Sequence, residues 1–155
     1  MAKTQEDDWR RRYMIKQISL FLENKKGRLA EVCRIIGDAG INIRALSIAD
    51  TKDFGILRLI VNNPEKAFEV LTTKGFVVTT TDVLAIKVAD TPGGLADVLE
   101  KLDKAGVNVE YAYAFIGTAK KDALVIIRAE KPTDALQTLA NIGIACMRGE
   151  ELYTL

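Results

Sequence analysis

Apolar and polar positions alternate with a period of two at Ile18, Leu20 and Leu22, and again at Leu84, Ile86 and Val88, as in strands that bury one face. A helical spacing follows each: Leu29, Val32, Cys33 and Ile36 in the first case, Leu95, Val98, Leu99 and Leu102 in the second. Gly40 and Gly106 stand where a glycine ends a helix. INIRALSIAD and VNVEYAYAFIG then read as second strands, joined by the polar turns TKD and TAKKD to the third strands FGILRLIV and ALVIIRAE. Pro64 and Pro132 open second helices at a position where the missing N–H costs nothing, and GFVVTTT and GIACMR read as fourth strands. The predicted order is βαββαβ, twice.

The two halves are copies. Sliding the chain by 66 residues lays GRLAEVCRIIGDAGINI on GGLADVLEKLDKAGVNV, with identities that include Gly27 on Gly93, Leu29 on Leu95, Gly40 on Gly106 and Asn42 on Asn108. Beyond the longer second turn the offset becomes 68, and Pro64, Ala67, Leu71 and Gly75 meet Pro132, Ala135, Leu139 and Gly143. The right-handed crossover rule puts both helices of such a unit on one face of an antiparallel sheet. The expected fold class is therefore α+β, with two ferredoxin-like βαββαβ modules in tandem over residues 15–81 and 82–155, and only residues 79–82 between their strands. Residues 1–14 are expected to form an N-terminal arm, disordered or dimer-linking, in which the run Trp9-Arg10-Arg11-Arg12 is not read as an RNA contact.

The stretches FLENKKGRLAEV and VADTPGGLADVL repeat a polar residue three positions before a helix-opening glycine. Backbone N–H groups at a glycine-led helix start can point at a carboxylate or phosphate, and the helix dipole assists. Asn24 and Asp90 can accept from an ammonium, so loop and side chain together suit a zwitterion such as an α-amino acid. The competing reading is that Asn24 and Asp90 cap the helix or shape the turn, and that Asn42 and Asn108 only start a strand.

Composition narrows the function classes. Twenty-two basic against 21 acidic residues give a net charge of +1, which favours neither nucleic acid nor an anionic membrane surface. No apolar run approaches the roughly 20 residues of a membrane span, and the charged start lacks the apolar core of a secretory signal; a cytoplasmic protein is expected. The chain has no histidine, which removes Ser-His-Asp and Cys-His nucleophiles and the commonest zinc ligand. No carboxylate cluster offers a metal site, so no catalytic residue, metal or cofactor is expected. Cys33 and Cys146 sit among apolar residues without a CxxC pair and read as reduced core thiols.

The chain from about residue 15 to 155 resembles the ACT domains, small regulatory βαββαβ modules that bind amino acids at the interface between paired units. The resemblance rests on Glu23-Asn24-Lys25-Lys26-Gly27-Arg28-Leu29 with Gly40-Ile41-Asn42-Ile43, and on Asp90-Thr91-Pro92-Gly93-Gly94-Leu95 with Gly106-Val107-Asn108-Val109. The full chain looks like the freestanding tandem ACT proteins, which have no catalytic domain attached. The resemblance implies ligand-binding residues at Asn24, Gly27, Arg28 and Leu29 with Asn108, and at Asp90, Gly93, Gly94 and Leu95 with Asn42. The first loop departs from the family pattern by carrying Lys26 where proline is usual, which makes it less rigid and more positive. The second keeps Pro92 but has Asp90 in place of asparagine, which favours an ammonium and disfavours a carboxylate placed too near.

The expected function is a non-catalytic amino-acid sensor, homodimeric and reporting to a partner enzyme. The alternative is a regulatory subunit that docks on a biosynthetic enzyme such as acetolactate synthase without binding free ligand strongly. Branched-chain, aromatic and histidine ligands remain open. Tyr111, Tyr113 and Phe115 are read as a sheet face covered by another module or chain, with a pocket lining as the other reading. RNA binding is disfavoured by the missing aromatic strand signature, and acylphosphatase chemistry by the missing basic loop.

Overall fold

The computed structural model describes residues 3–50, 53–114 and 122–154. Its elements run α1 (Gln5–Tyr13), β1 (Ile15–Glu23), α2 (Arg28–Asp38), β2 (Ile43–Asp50), β3 (Phe54–Val61), α3 (Pro64–Thr73), β4 (Val78–Ala89), α4 (Gly94–Lys104), β5 (Val109–Ala114), β6 (Asp122–Ala129), α5 (Pro132–Asn141) and α6 (Gly149–Tyr153). The chain divides into two units: Lys16–Thr81, and the stretch up to Ile15 together with Asp82–Tyr153.

In the first unit β1 and β2 both pair antiparallel with β3, Leu20 opposite Leu57 and Leu46 opposite Leu59. Alternation along β1 and β3 sends Ile18, Leu20, Leu22, Leu57 and Leu59 to one face, where they pack with Val32 and Ile36 of α2 and Ala67 and Leu71 of α3. The second unit repeats this plan, with β4 and β5 both antiparallel to β6 and Ile86 opposite Val125. Its core joins Leu84, Ile86 and Val88 to Val98 and Leu102 of α4 and Ala135 and Leu139 of α5. The expected ferredoxin-like modules, with helices on one sheet face, are what the chain forms.

The duplication extends to backbone detail. Register slips between Ile43 and Ala45, and between Val109 and Tyr111, make Arg44 and Glu110 the extra residues of equivalent β-bulges. Helix α2 ends with the Ile41 N–H donating to the Ile36 carbonyl at 3.1 Å, and α4 ends with Val107 donating to Leu102 at 3.0 Å. These six-to-one bonds require a left-handed residue before them, and Gly40 (φ 73°) and Gly106 (φ 76°) supply it.

Three features differ from the sequence expectation. The fourth strand of the first repeat and the first strand of the second form one strand, β4, which runs through residues assigned to both units. TTTDVLAIKVA contains no glycine or proline to end it, and its threonines and valines favour extended backbone. GIACMR contributes only a bridge between Cys146 and Ile86, held by Lys87 N–H to Ala145 at 3.0 Å and Met147 N–H to Ala85 at 2.8 Å, before α6 begins at Gly149. The segment expected as an arm contains α1, whose start is closed by a capping box between Thr4 and Asp7. Helix α1 lies on the second unit: Arg10 pairs with Asp82 at 3.0 Å, Met14 enters the core, and Trp9 and Tyr13 pack at its margin. Phe115 and residues 51–52 and 118–121 of the two expected turns lie outside the described residues.

Both cysteines are free and half-buried. Burial pushes the Cys146 thiol from its ordinary value of 9.0 up to about 12. An unfolded chain releases that proton above about pH 8.5 while the folded chain keeps it, so the raised folded value makes stability fall with rising pH between those limits. Replacing Cys146 by alanine should flatten the denaturant-measured stability of the chain above pH 8.5 relative to the unmodified protein. Equal slopes in the two proteins would show that the thiol does not titrate differently in the folded state.

Candidate functional site

The two glycine-led helix starts share one backbone design. In the first, Lys25 N–H donates to Glu23 at 2.8 Å, Arg28 N–H to Lys25 at 3.3 Å and Glu31 N–H to Gly27 at 3.0 Å. In the second, Thr91 donates to Ala89 at 2.9 Å, Gly94 to Thr91 at 3.0 Å and Asp97 to Gly93 at 3.0 Å. Gly27 (φ 88°) and Gly93 (φ 83°) are the N-cap residues, both left-handed, and neither helix has a side-chain cap. The capping reading of Asn24 and Asp90 therefore fails. Their side chains make no hydrogen bond among the described residues, and both are exposed.

What the glycine cap leaves open is a pair of donors at each helix start. The N–H groups of Leu29 and Ala30, and of Leu95 and Ala96, have no acceptor among the described residues, at the end where the helix dipole is positive. Each pair can serve an anionic oxygen. Leu29 and Leu95 are each about two-fifths exposed beside these donors, so each loop also offers apolar surface.

The two loops differ in charge and tightness. Around the first, Lys25 reaches Glu23 at 2.7 Å and holds its carboxyl below the usual range. Arg28 folds back onto its own module, with Nη1 at 2.7 Å from Glu31 and the guanidinium carbon 4.9 Å from the Phe76 ring centroid. Its Nε is buried without a partner among the described residues. The second loop has Asp90 and Pro92, and at the position of Arg28 stands Gly94, pressed against the end of β4: a Cβ there would lie 2.1 Å from the Ala89 carbonyl oxygen.

Asn42 and Asn108 stand immediately before β2 and β5. The Asn42 N–H donates to Asn62 Oδ1 at 3.0 Å, and Asn108 Nδ2 donates to Glu130 Oε2 at 3.5 Å. Within a module the loop glycine lies at one end of the first helix and the asparagine follows the other end. Eleven residues of α2 or α4 at 1.5 Å each separate them by roughly 16 Å. One small ligand cannot touch both from a single module, so residues of the two kinds can share a ligand only if they come from different modules or chains. Tyr111 and Tyr113 are half-buried on β5.

Among the described residues no group of His, Cys, Asp and Glu is placed to hold a metal, and no described helix is long and apolar enough to cross a membrane. Sequence reasoning missed the free N–H groups of Ala30 and Ala96. The signal for them was present, because a glycine at the N-cap position has no side chain to occupy them.

A duplicated βαββαβ unit with glycine-capped first helices is the architecture of an ACT pair. The ACT domain pair family matches residues 13–155, and the chain belongs to it. Among solved structures it is similar to protein BT0572 from Bacteroides thetaiotaomicron, at 39% identity and a TM-score of 0.87, over 94% of this chain and 99% of that one. It also shares its fold with the ligand-free regulatory subunit of aspartate kinase from Thermus thermophilus, at 20% identity and a TM-score of 0.61, over 81% of this chain and 90% of that one. The corresponding subunit from Thermus flavus is similar at 19% identity and a TM-score of 0.59, over 83% and 92%. No curated protein matches the chain.

Proposed function

We propose that this chain is a non-catalytic, cytoplasmic regulatory protein that binds a free α-amino acid at the interface between its ACT modules. The observation that carries this reading is the pair of N–H donors without an acceptor among the described residues at each glycine-capped helix start, where the glycine stands three residues after an Asn24 or Asp90 side chain that has no hydrogen bond among them. Donors suit the carboxylate and the side-chain oxygen suits the ammonium. Asn108 would complete the site of Asn24, Gly27, Arg28 and Leu29, and Asn42 that of Asp90, Gly93, Gly94 and Leu95. The ligand acts by linkage: it favours the arrangement it bridges, and its concentration relative to its affinity sets the size of the signal.

A thermal-shift panel of the twenty amino acids, followed by calorimetric titration of hits, tests this. One amino acid should stabilise the fold, by about 2.7 kcal/mol at a hundred times its Kd, and Asp90→Ala or Asn24→Ala should abolish the shift. Absence of binding at millimolar concentration would overturn the sensor reading.

One feature favours a second reading, a regulatory subunit docked on a biosynthetic enzyme or on a second copy of the chain. Phe21 and Phe54, on adjacent strands of the first module, are 56% and 51% exposed, and large apolar side chains so placed mark contact surfaces. In that case a larger catalytic chain co-purifies, or the protein elutes as a homodimer.

A further inference from the structure

The second module carries a helix that the first lacks. Helix α1 buries none of its own residues, yet Trp9 and Tyr13, one turn apart, pack at the margin of the second core beside α5. The start of α1 lies beside the start of α5: Glu6 shares one cleft with Thr133 and Gln137, while Trp9 and Tyr13 share another with Leu136, Ala140 and Ala145. At the rim of this contact Arg10 reaches Asp82 at 3.0 Å. Under the helix, Leu136 is only 4% exposed.

The first module presents the same surface bare. The offset of 68 carries Leu136, Ala140 and Ala145 onto Phe68, Thr72 and Val77. Among the described residues the unit Lys16–Thr81 has α2 and α3 as its helices and no counterpart of α1. Phe68 is 38% exposed and Val77 64%. Single exposed apolar side chains need no explanation, but these two hold the positions that α1 covers in the sister module. The charges at the rim are changed as well. Asp82 stands two residues before Leu84 on the helix-side face of β4, and at the offset of 66 its place is taken by Lys16, two residues before Ile18 on β1. Thr133 and Gln137 are replaced by Glu65 and Glu69.

We propose that this face of α3, with Val77 beyond its end, docks a short amphipathic helix of a partner protein in the way that α1 sits on α5. The partner helix lays two large apolar side chains, one turn apart, over Phe68, Thr72 and Val77. Its charges are opposite to those of α1: an acid in the place of Arg10, meeting Lys16, and a base in the place of Glu6, meeting Glu65 and Glu69. The α1 helix of a second copy does not fit, because it would bring Arg10 to Lys16 and Glu6 to the two glutamates. The proposal does not depend on amino-acid binding at the glycine loops, and its surface is separate from that of Phe21 and Phe54.

The test is amide NMR of the full chain titrated with two synthetic peptides spanning residues 3–15, one of the native sequence and one carrying Glu6→Lys and Arg10→Glu. The charge-reversed peptide should give saturable shifts at Phe68, Thr72 and Val77, with Leu136 and Ala140 unmoved, and should bind at least about threefold more tightly than the native peptide. Phe68→Lys and Val77→Lys, both changes at exposed positions, should each abolish its binding. Lys16→Asp, which copies the second module, should raise the affinity of the native peptide. Asn24→Ala and Asp90→Ala should leave these titrations unchanged, which separates them from the sensor reading. Shifts that do not saturate or that fall on other residues, equal affinity for the two peptides, or a native-peptide affinity unaltered by Lys16→Asp would overturn the proposal.

Discussion

Replacing Gly94 by alanine is expected to lower stability by at least about 3 kcal/mol, more than any other single-methyl addition to the two loops. The added Cβ would sit 2.1 Å from the Ala89 carbonyl oxygen and 3.1 Å from its carbon. Both belong to the backbone of β4, so no side-chain rotation relieves the contact. Relief requires the start of α4 to move away from the strand end, which breaks the 3.0 Å bond from Gly94 N–H to Thr91 and displaces the donors of Leu95 and Ala96. Gly93 is the control, because its φ of 83° strains an alanine while nothing lies within 4 Å of the added atom; about 1–2 kcal/mol is expected there. Denaturant midpoints of the two variants decide: if Gly94→Ala costs no more than Gly93→Ala, close approach of helix and strand does not hold this loop. The first module makes the same point by contrast, since it carries Arg28 at the equivalent position.

Most of this frame was legible because a duplicated sequence states its pattern twice. The alternation at Ile18, Leu20 and Leu22, the positions Val32 and Ile36 and the glycine at residue 40 each recur one repeat later and became core or helix end as read, whereas Leu29 and Leu95, which open the two helical stripes, stay about two-fifths exposed. Strand ends were harder to place. Nothing in residues 78–89 breaks extended backbone, and periodicity alone cannot tell one strand of twelve residues from two in succession. Helix α1 was missed although its signals were present: Thr4 three residues before Asp7, acids in the first turn and Arg10, Arg11 and Arg12 in the last. A helix with no buried residue of its own shows little apolar stripe, and its place depends on packing against α5 and α6. The glycine loops were legible as turns that open a helix. The bond from Lys66 Nζ to the Ala39 carbonyl was not, because only the folded chain brings the opening turn of α3 against the end of α2.

Truncating Ile36 or Leu102 to alanine should each cost about 3 kcal/mol. The two residues are equivalent by the repeat, both are 0% exposed, and each fixes the first helix of its module to the sheet beneath. Ile36 belongs to the core with Ile18, Leu20 and Leu22, and Leu102 to that with Leu84, Ile86 and Val88. Loss of either leaves a cavity that close-packed strand side chains fill poorly, so the cavity adds to the lost transfer free energy. The functional consequence follows from what these helices carry. Each holds the paired N–H donors at its start and sets the strand-leading asparagine beyond its end, so a loosened helix disturbs both features together. In each variant, exchange of the hydrogen-bonded amides should accelerate at both ends of the affected helix, at Glu31 and Ile41 for Ile36→Ala and at Asp97 and Val107 for Leu102→Ala. A loss of stability below about 1 kcal/mol, or faster exchange confined to one end, would show that the core does not position the site through these helices.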